Sequence, residues 1–274
     1  MSVNNKRIVL VIGAFTLFVL LYFAPKLIAK KADSNSIESI SKTEITNASL
    51  DVFLNLSFNA LGASQKKIYT HLLNEKKYDS LIVFWDNLKR PDLSSYFAEQ
   101  KAKQINSYDT WFYAGKRYYS ALQFTQDKSE SPILLQCAFS SFNKALTINP
   151  KSTEAKILKA SCIVEGIGNP MDGISLLKEV EKTDSNNVQL QLTFAFFSMR
   201  SKQLDKAIMR FNKVLKVDSN YIEAYLHLAD IYEQLNQTKQ TIDMLNQYLV
   251  RTTNETSKVE ITKYIQQLKS SINK

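Results

Sequence analysis

The chain has 274 residues, 45% of them hydrophobic and 22% charged, with only 6 Gly and 5 Pro. That is an ordinary globular composition with room for one or two cored domains, and it holds too little Gly and Pro for a barrel, a sandwich or a Gly-rich nucleotide fold. The formal charge of +9 is uneven: Lys6, Arg7, Lys26, Lys30 and Lys31 supply +5 within residues 1–31, which contain no acid, so the basic balance flanks an apolar run and gives little support to nucleic-acid binding.

Residues 1–7 form a short tail. Ile8 to Pro25 is free of charge for eighteen residues. As a helix rising about 1.5 Å per residue it reaches about 27 Å, close to the hydrocarbon thickness of a bilayer. Tyr22 and Phe23 stand at its far end, where interfacial aromatics are favoured. The reading is a single-pass anchor at 8–25 in the cell (inner) membrane. A cleaved signal peptide is the alternative, but Pro25 follows Phe23-Ala24, and Leu27 occupies the position where cleavage after Ala29 needs a small residue. Two basic residues before the run and three after it leave sidedness open. Retention of the short tail inside favours a periplasmic body.

Residues 26–63 are rich in Ser, Asn and Thr and read as a linker or stalk, closing with a helix through Val52, Leu54 and Phe58. Residues 64–107 read as a degenerate helical pre-repeat. Ile68, Leu72 and Leu73 mark one stripe, and Leu81, Phe84, Trp85 and Leu88 the next, with Lys76-Lys77-Tyr78-Asp79 as the turn. Pro91 then opens a helix running to Ile105, since Pro is tolerated in a first turn.

From residue 108 to 253 the chain is periodic. Ala207, Ile208, Phe211 and Leu215 are followed 34 residues later by Thr241, Ile242, Leu245 and Leu249. Ile208, Phe211 and Val214 return 34 residues earlier to Ile174, Leu177 and Val180, and Asp218-Ser219-Asn220 repeats Asp184-Ser185-Asn186. Helical spacing inside a fixed 34-residue unit marks a helical-hairpin repeat. Trp111-x-x-Ala114-Gly115-x-x-Tyr118, followed by Ala138, Phe142, Ala145 and Pro150, lays out one unit, stretched by about eleven residues around Gln126 to Ser131. Gly168-Asn169-Pro170 supplies the turn of the next. This pattern resembles the tetratricopeptide repeat (TPR) family over about 145 residues. The resemblance implies an all-α, right-handed solenoid of antiparallel helix pairs. Residues 254–274, with Ile261, Ile265, Leu268 and Ile272 on one side, suit a capping helix.

No metalloprotease, nucleophile-elbow, Walker or dinucleotide motif is present, and His71 and His227 are the only histidines, so no catalysis, metal, cofactor or small-molecule substrate is expected. Cys137 and Cys162 read as two small buried residues; a disulfide between them would need an oxidising compartment.

In the TPR family the first helix of each hairpin lines the concave face, which commonly takes an extended peptide or a partner helix. The resemblance places Phe112, Tyr113, Lys116 and Tyr119 there in the first unit, and Leu158, Lys159, Cys162 and Glu165 in the second. Leu192, Thr193, Phe196, Met199 and Arg200 follow in the third, and Leu226, His227, Asp230 and Glu233 in the fourth. The family's carboxylate clamp is not expected, because Leu158, Cys162, Leu192 and Phe196 occupy its positions. Leu192, Phe196 and Met199 form one helical stripe, expected to be open to water until a partner or the capping helix covers it. The implied function is a membrane-anchored scaffold for a protein or peptide partner in envelope assembly, secretion or a translocon. A chaperone-like factor for exported clients is the alternative.

Overall fold

The computed structural model describes residues 42–124 and 131–272. The expected anchor at 8–25 and the first part of the expected stalk lie outside them. Thirteen α-helices and no strands occur among the described residues. In chain order they are α1 (Lys42–Ala60), α2 (Ala63–Asn74), α3 (Tyr78–Asn87), α4 (Pro91–Ile105), α5 (Tyr108–Ala121), α6 (Ser131–Ile148), α7 (Thr153–Cys162), α8 (Pro170–Thr183), α9 (Val188–Arg200), α10 (Leu204–Val217), α11 (Glu223–Gln234), α12 (Thr238–Arg251) and α13 (Glu255–Ile272). The first helix occupies much of the stretch read as stalk. Leu50 is buried at its centre, and Phe53, Leu54 and Phe58 pack on the core around Tyr69 and Trp85.

Local signals set the helix starts. Ser107 accepts a hydrogen bond from the backbone N–H of Thr110 at 3.3 Å. Ser152, Asn169 and Asn187 cap α7, α8 and α9 in the same way, and Pro91 and Pro170 sit in first turns. The period is visible in the backbone. After α9, Lys202 has φ +58° and its N–H reaches Met199 O at 2.9 Å, while Gln203 N–H reaches Ser198 O at 2.8 Å. Thirty-four residues on, Asn236 has φ +56°, and Asn236 and Gln237 donate to Glu233 O and Tyr232 O, both at 2.8 Å. The turn after α7 departs from this. A π-turn, Ile163–Ile167, extends α7, and Gly166 takes φ +151° there, a conformation L side chains rarely adopt.

Helices pair as α3–α4, α5–α6, α7–α8, α9–α10 and α11–α12, and each pair stacks on the next. The first helices of neighbouring pairs touch one another, α5 with α7 and α7 with α9, and form the inner layer. The second helices form the outer layer. Gly115 brings α5 against α6: a Cβ there would meet the Phe142 ring at 2.6 Å. Five apolar clusters follow one another along the stack, with Trp85, Phe97, Tyr118, Phe142 and Phe211 among their fully buried side chains. On the inner side α13 follows α12 and closes the stack with Ile265 buried and Ile261 and Leu268 partly buried.

Phe211 has no exposed surface and joins α10 to α9 and α11. Phe211→Ala is expected to cost about 3–5 kcal/mol in urea melts of the protein. A loss below about 1 kcal/mol would mean that the site collapses without a cavity.

Candidate partner-binding face

The inner layer begins with α5, where the side chains are held by their neighbours yet remain accessible. Tyr108 stacks on Phe112 at 5.4 Å and its hydroxyl meets that of Ser152 on the α7 cap at 2.6 Å. Lys116 lies over the Phe112 ring and pairs with Glu154 of α7 at 3.3 Å. Tyr113 is 45% exposed. Arg117 covers one face of its ring at 5.7 Å, donates to its hydroxyl at 3.2 Å, and also reaches Asp86 of α3 and Ser94 of α4. The pair Arg117–Asp86 ties α5 to α3. At the other end of α5, the Tyr119 hydroxyl donates to Glu165 at 2.7 Å. Burial first, and then the carboxylate of Glu165, push that phenol far above its ordinary range.

On α7, Leu158 is half-buried in the cluster that holds Cys162. The Lys159 ammonium sits over Phe139 of α6 at 5.6 Å, so this side chain turns toward the second helix of the preceding pair.

The stripe on α9 differs from expectation. Leu192 and Met199 are buried at 7% and 5% exposure, and Phe196 is half-buried. Phe196 meets Phe211 edge-on at 5.6 Å and His227 edge-on at 5.0 Å, while His227 stacks on Phe211 at 5.1 Å. The stripe is therefore core, filled by α10 and α11 and not by a partner or α13. The reason is the close approach of neighbouring inner helices, which places one face of α9 in the seam. Thr193 is also buried, and Arg200 remains exposed, stacked on Phe197 at 5.1 Å.

On α11, burial holds His227 below its ordinary pKa, with Glu223 opposing. Burial raises Asp230, the Gln234 amide bond at 3.0 Å lowers it, and Glu233 raises it again. Tyr264 of α13 donates to Glu233. The residues that the resemblance places on the inner face thus do not form one open patch. Phe112, Tyr113 and Lys116 are an accessible cluster, Leu192, Phe196, Met199 and His227 are a joint, and Arg200 and Asp230 lie toward the far end.

A polar joint was not anticipated. Gln191 is fully buried between α8 and α10, donating to Ser185 O at 2.7 Å and accepting from Arg210 at 2.8 Å. Arg210 also binds Glu181 of α8 and lies 4.2 Å from the Phe194 ring centroid. Burial acts to raise the Glu181 carboxyl, but bonds from Arg210 and Gln191 and the charges of Arg210 and Lys213 leave it below its ordinary value. The signal was in the register: 34 residues away, Gln191 corresponds to Tyr225 and Arg210 to Leu176 and Met244. Two polar residues interrupt apolar columns, and they meet.

Among the described residues no group of three His, Cys, Asp or Glu could hold a metal ion. Cys137 and Cys162 are free and buried. Burial, then Glu99, pushes the Cys137 thiol up to about 12, and burial, then Glu165, carries Cys162 higher still. Among the described residues no helix is long and apolar enough to cross a membrane.

Residues 198–259, from the end of α9 into α13, match the tetratricopeptide repeat family. That match covers α10 to α12, where the 34-residue recurrence lies, and the helical stack agrees with the expected tetratricopeptide architecture. Solved structures are similar to the stack to different degrees. A TPR protein of Thermus thermophilus, TTC0263, superposes with a TM-score of 0.50 at 13% identity, covering 71% of this chain and 98% of its own. PilW, described as a type IV pilus biogenesis factor, gives 0.48 at 13% identity over 77% and 93%. MamA from Desulfovibrio magneticus RS-1 gives 0.45 at 15% over 64% and 92%. No curated protein matches the chain.

His227 provides a pH test of the α9–α11 joint. Its folded pKa lies below the unfolded value of about 6.5, so the unfolded chain binds more protons as pH falls through that value. Stability from this group is full above about pH 6.5 and is lost below it. The melting temperature is expected to drop between pH 7.5 and 5.5, and His227→Phe to flatten that part of the profile. An unchanged slope in the variant would remove His227 from the joint.

Proposed function

We propose that this protein is a membrane-anchored TPR scaffold that holds a protein or peptide partner on its inner face. The observation that carries the reading is Tyr113, an aromatic ring 45% exposed on the inner layer and fixed by Arg117. An immobilised aromatic with one free face contributes contact area at little ordering cost. Lys116, one turn on along the same helix and over the Phe112 ring, extends the surface in a cationic direction. The anchor at 8–25 rests on its eighteen uncharged residues and their basic flanks. In this proposal the body lies on the periplasmic side of that anchor. The alternative is a chaperone-like factor that engages exported clients only transiently.

A photo-crosslinking residue at Tyr113 in full-length protein in native membranes is expected to trap a discrete partner, and one at the exposed Met209 of α10 is not. Tyr113→Glu with Lys116→Glu should lower partner recovery by about tenfold or more while leaving the melting temperature nearly unchanged. Equal trapping at both positions would sink the inner-face reading. A stoichiometric complex in detergent supports the scaffold; recovery that requires ongoing client export supports the chaperone. Carbonate washing should leave the intact chain, starting at Met1 or Ser2, in the membrane pellet. A mature terminus near Lys26 to Asp33 would replace the anchor with a signal peptide.

A further inference from the structure

Helix α1 has two unlike flanks. One faces the stack: Leu50 is buried, and Phe53, Leu54 and Phe58 pack on the core around Tyr69 and Trp85. Ser57 on the same side accepts a bond from Arg90, so α1 is held in place. The opposite flank holds Val52, Asn55, Leu56, Asn59 and Ala60, all exposed. Val52 and Leu56 stand one turn apart at 55% and 62% exposure and form one ridge, with Asn55 and Asn59 beside it.

That flank carries no charge. Between Asp51 and Lys66 lie fourteen residues without an acid or a base, in a chain that is 22% charged. Lys66 folds back over the Phe58 ring at 5.6 Å and donates to the Asn59 carbonyl at 3.1 Å, so its ammonium is engaged at the end of the helix. A helix with apolar residues on both flanks has the pattern of one that packs on both. The chemistry narrows the second neighbour. An anionic lipid surface or a charge-steered protein finds no charge here to pair with. Another neutral flank of aliphatic and amide side chains fits. Each Asn amide offers both donors and an acceptor, so an Asn-bearing flank is complementary to itself. A second copy of this chain presents that surface, and a two-fold contact uses the same patch on both partners.

The chain ahead of α1 points the same way. Residues 26–41 alone separate α1 from the uncharged run at 8–25. On the anchor reading given above, on which this inference rests, copies in one bilayer hold their α1 helices close to the same surface. One flank of five side chains is smaller than the roughly 1,200 Å² of total burial from which stable dimers in solution start, so it pairs copies where tethering raises their local concentration. We propose that the outer flank of α1, centred on Val52 and Leu56, is the contact through which two anchored copies of this chain pair. Because α1 lies on α4 and α6, the outer helices, pairing leaves both inner faces free.

The test places a photo-crosslinking residue at Leu56 in full-length protein, made as a mixture of light and isotope-labelled copies in native membranes. The expected product is a dimer whose crosslinked peptides join position 56 to residues 52–60 of another copy, with light and heavy chains mixed. The same residue at Met209, also exposed on α10, should give about tenfold less dimer. With the crosslinking residue moved to Val52, Leu56→Glu should cut the dimer about tenfold, because like charges then face each other across the contact. Its melting temperature should stay unchanged. Equal dimer from positions 56 and 209 would overturn the pairing, as would a variant that unfolds, which makes Leu56 core. Products that join position 56 to lipid, or to residues 26–41 of an unmixed chain, would overturn it by assigning the flank to the bilayer or to the chain's own linker. Carbonate washing reads the anchor separately. A chain retained in the pellet without the position-56 dimer overturns the pairing and leaves the anchor standing. A chain released by the wash removes the anchor, and the dimer in the released protein then supports the pairing by its presence or overturns it by its absence.

Discussion

No helix pair in this protein can bury its own apolar face, so each depends on the next. That dependence sets the spacing of the inner helices, and the spacing decides what the inner face can offer. Where side chains at the seam are large rings, as at Phe196, His227 and Phe211, neighbouring pairs close on them. Where they are polar or charged, as at Lys116 with Glu154 and Tyr119 with Glu165, the seam is bridged at its edge and leaves surface open. The same physics makes a joint at one end and a candidate docking surface at the other.

The two faces of the stack then divide their work. The inner face near α5 offers a fixed ring with charges around it. The outer face near α4 and α6 is covered by the chain's own first helix. The pairs hold one another through fully buried aromatics, whereas α1 contributes one buried leucine and several partly buried neighbours.

Much of this was legible in the residues. The 34-residue recurrence located the pairs from α7 to α12, and the turn expected at Gly168-Asn169-Pro170 leads directly into α8. Phe211 was read as core and is fully buried. The exposure of Leu192, Phe196 and Met199 was misread for a definite reason. Helical spacing shows that these three share a face, but whether that face meets water depends on how closely α11 approaches, which no periodicity encodes. Helix α1 starts earlier than its residues suggest because Thr43, Thr46 and Asn47 in its first turns are poor helix formers. The π-turn left a trace only in Gly166, whose φ of +151° suits no other residue well.

Gln191, Arg210 and Glu181 bear on how the chain avoids assembling wrongly. Near-identical units invite misregistration: α10 could settle against a pair one unit away with most apolar contacts intact, within one molecule or between two. In such a mispaired stack Arg210 would meet an apolar column and lose Glu181, and Gln191 would keep its amide buried without Arg210. A partly buried charge without its partner, and the fully buried Gln191 amide without the Arg210 donor, both disfavour the mispaired stack. The trio thus acts as a key that fits a single lock in the array, and it penalises end-to-end fusion of copies through swapped pairs. Its contribution shows in the fidelity of refolding at high protein concentration more than in the stability of the finished fold.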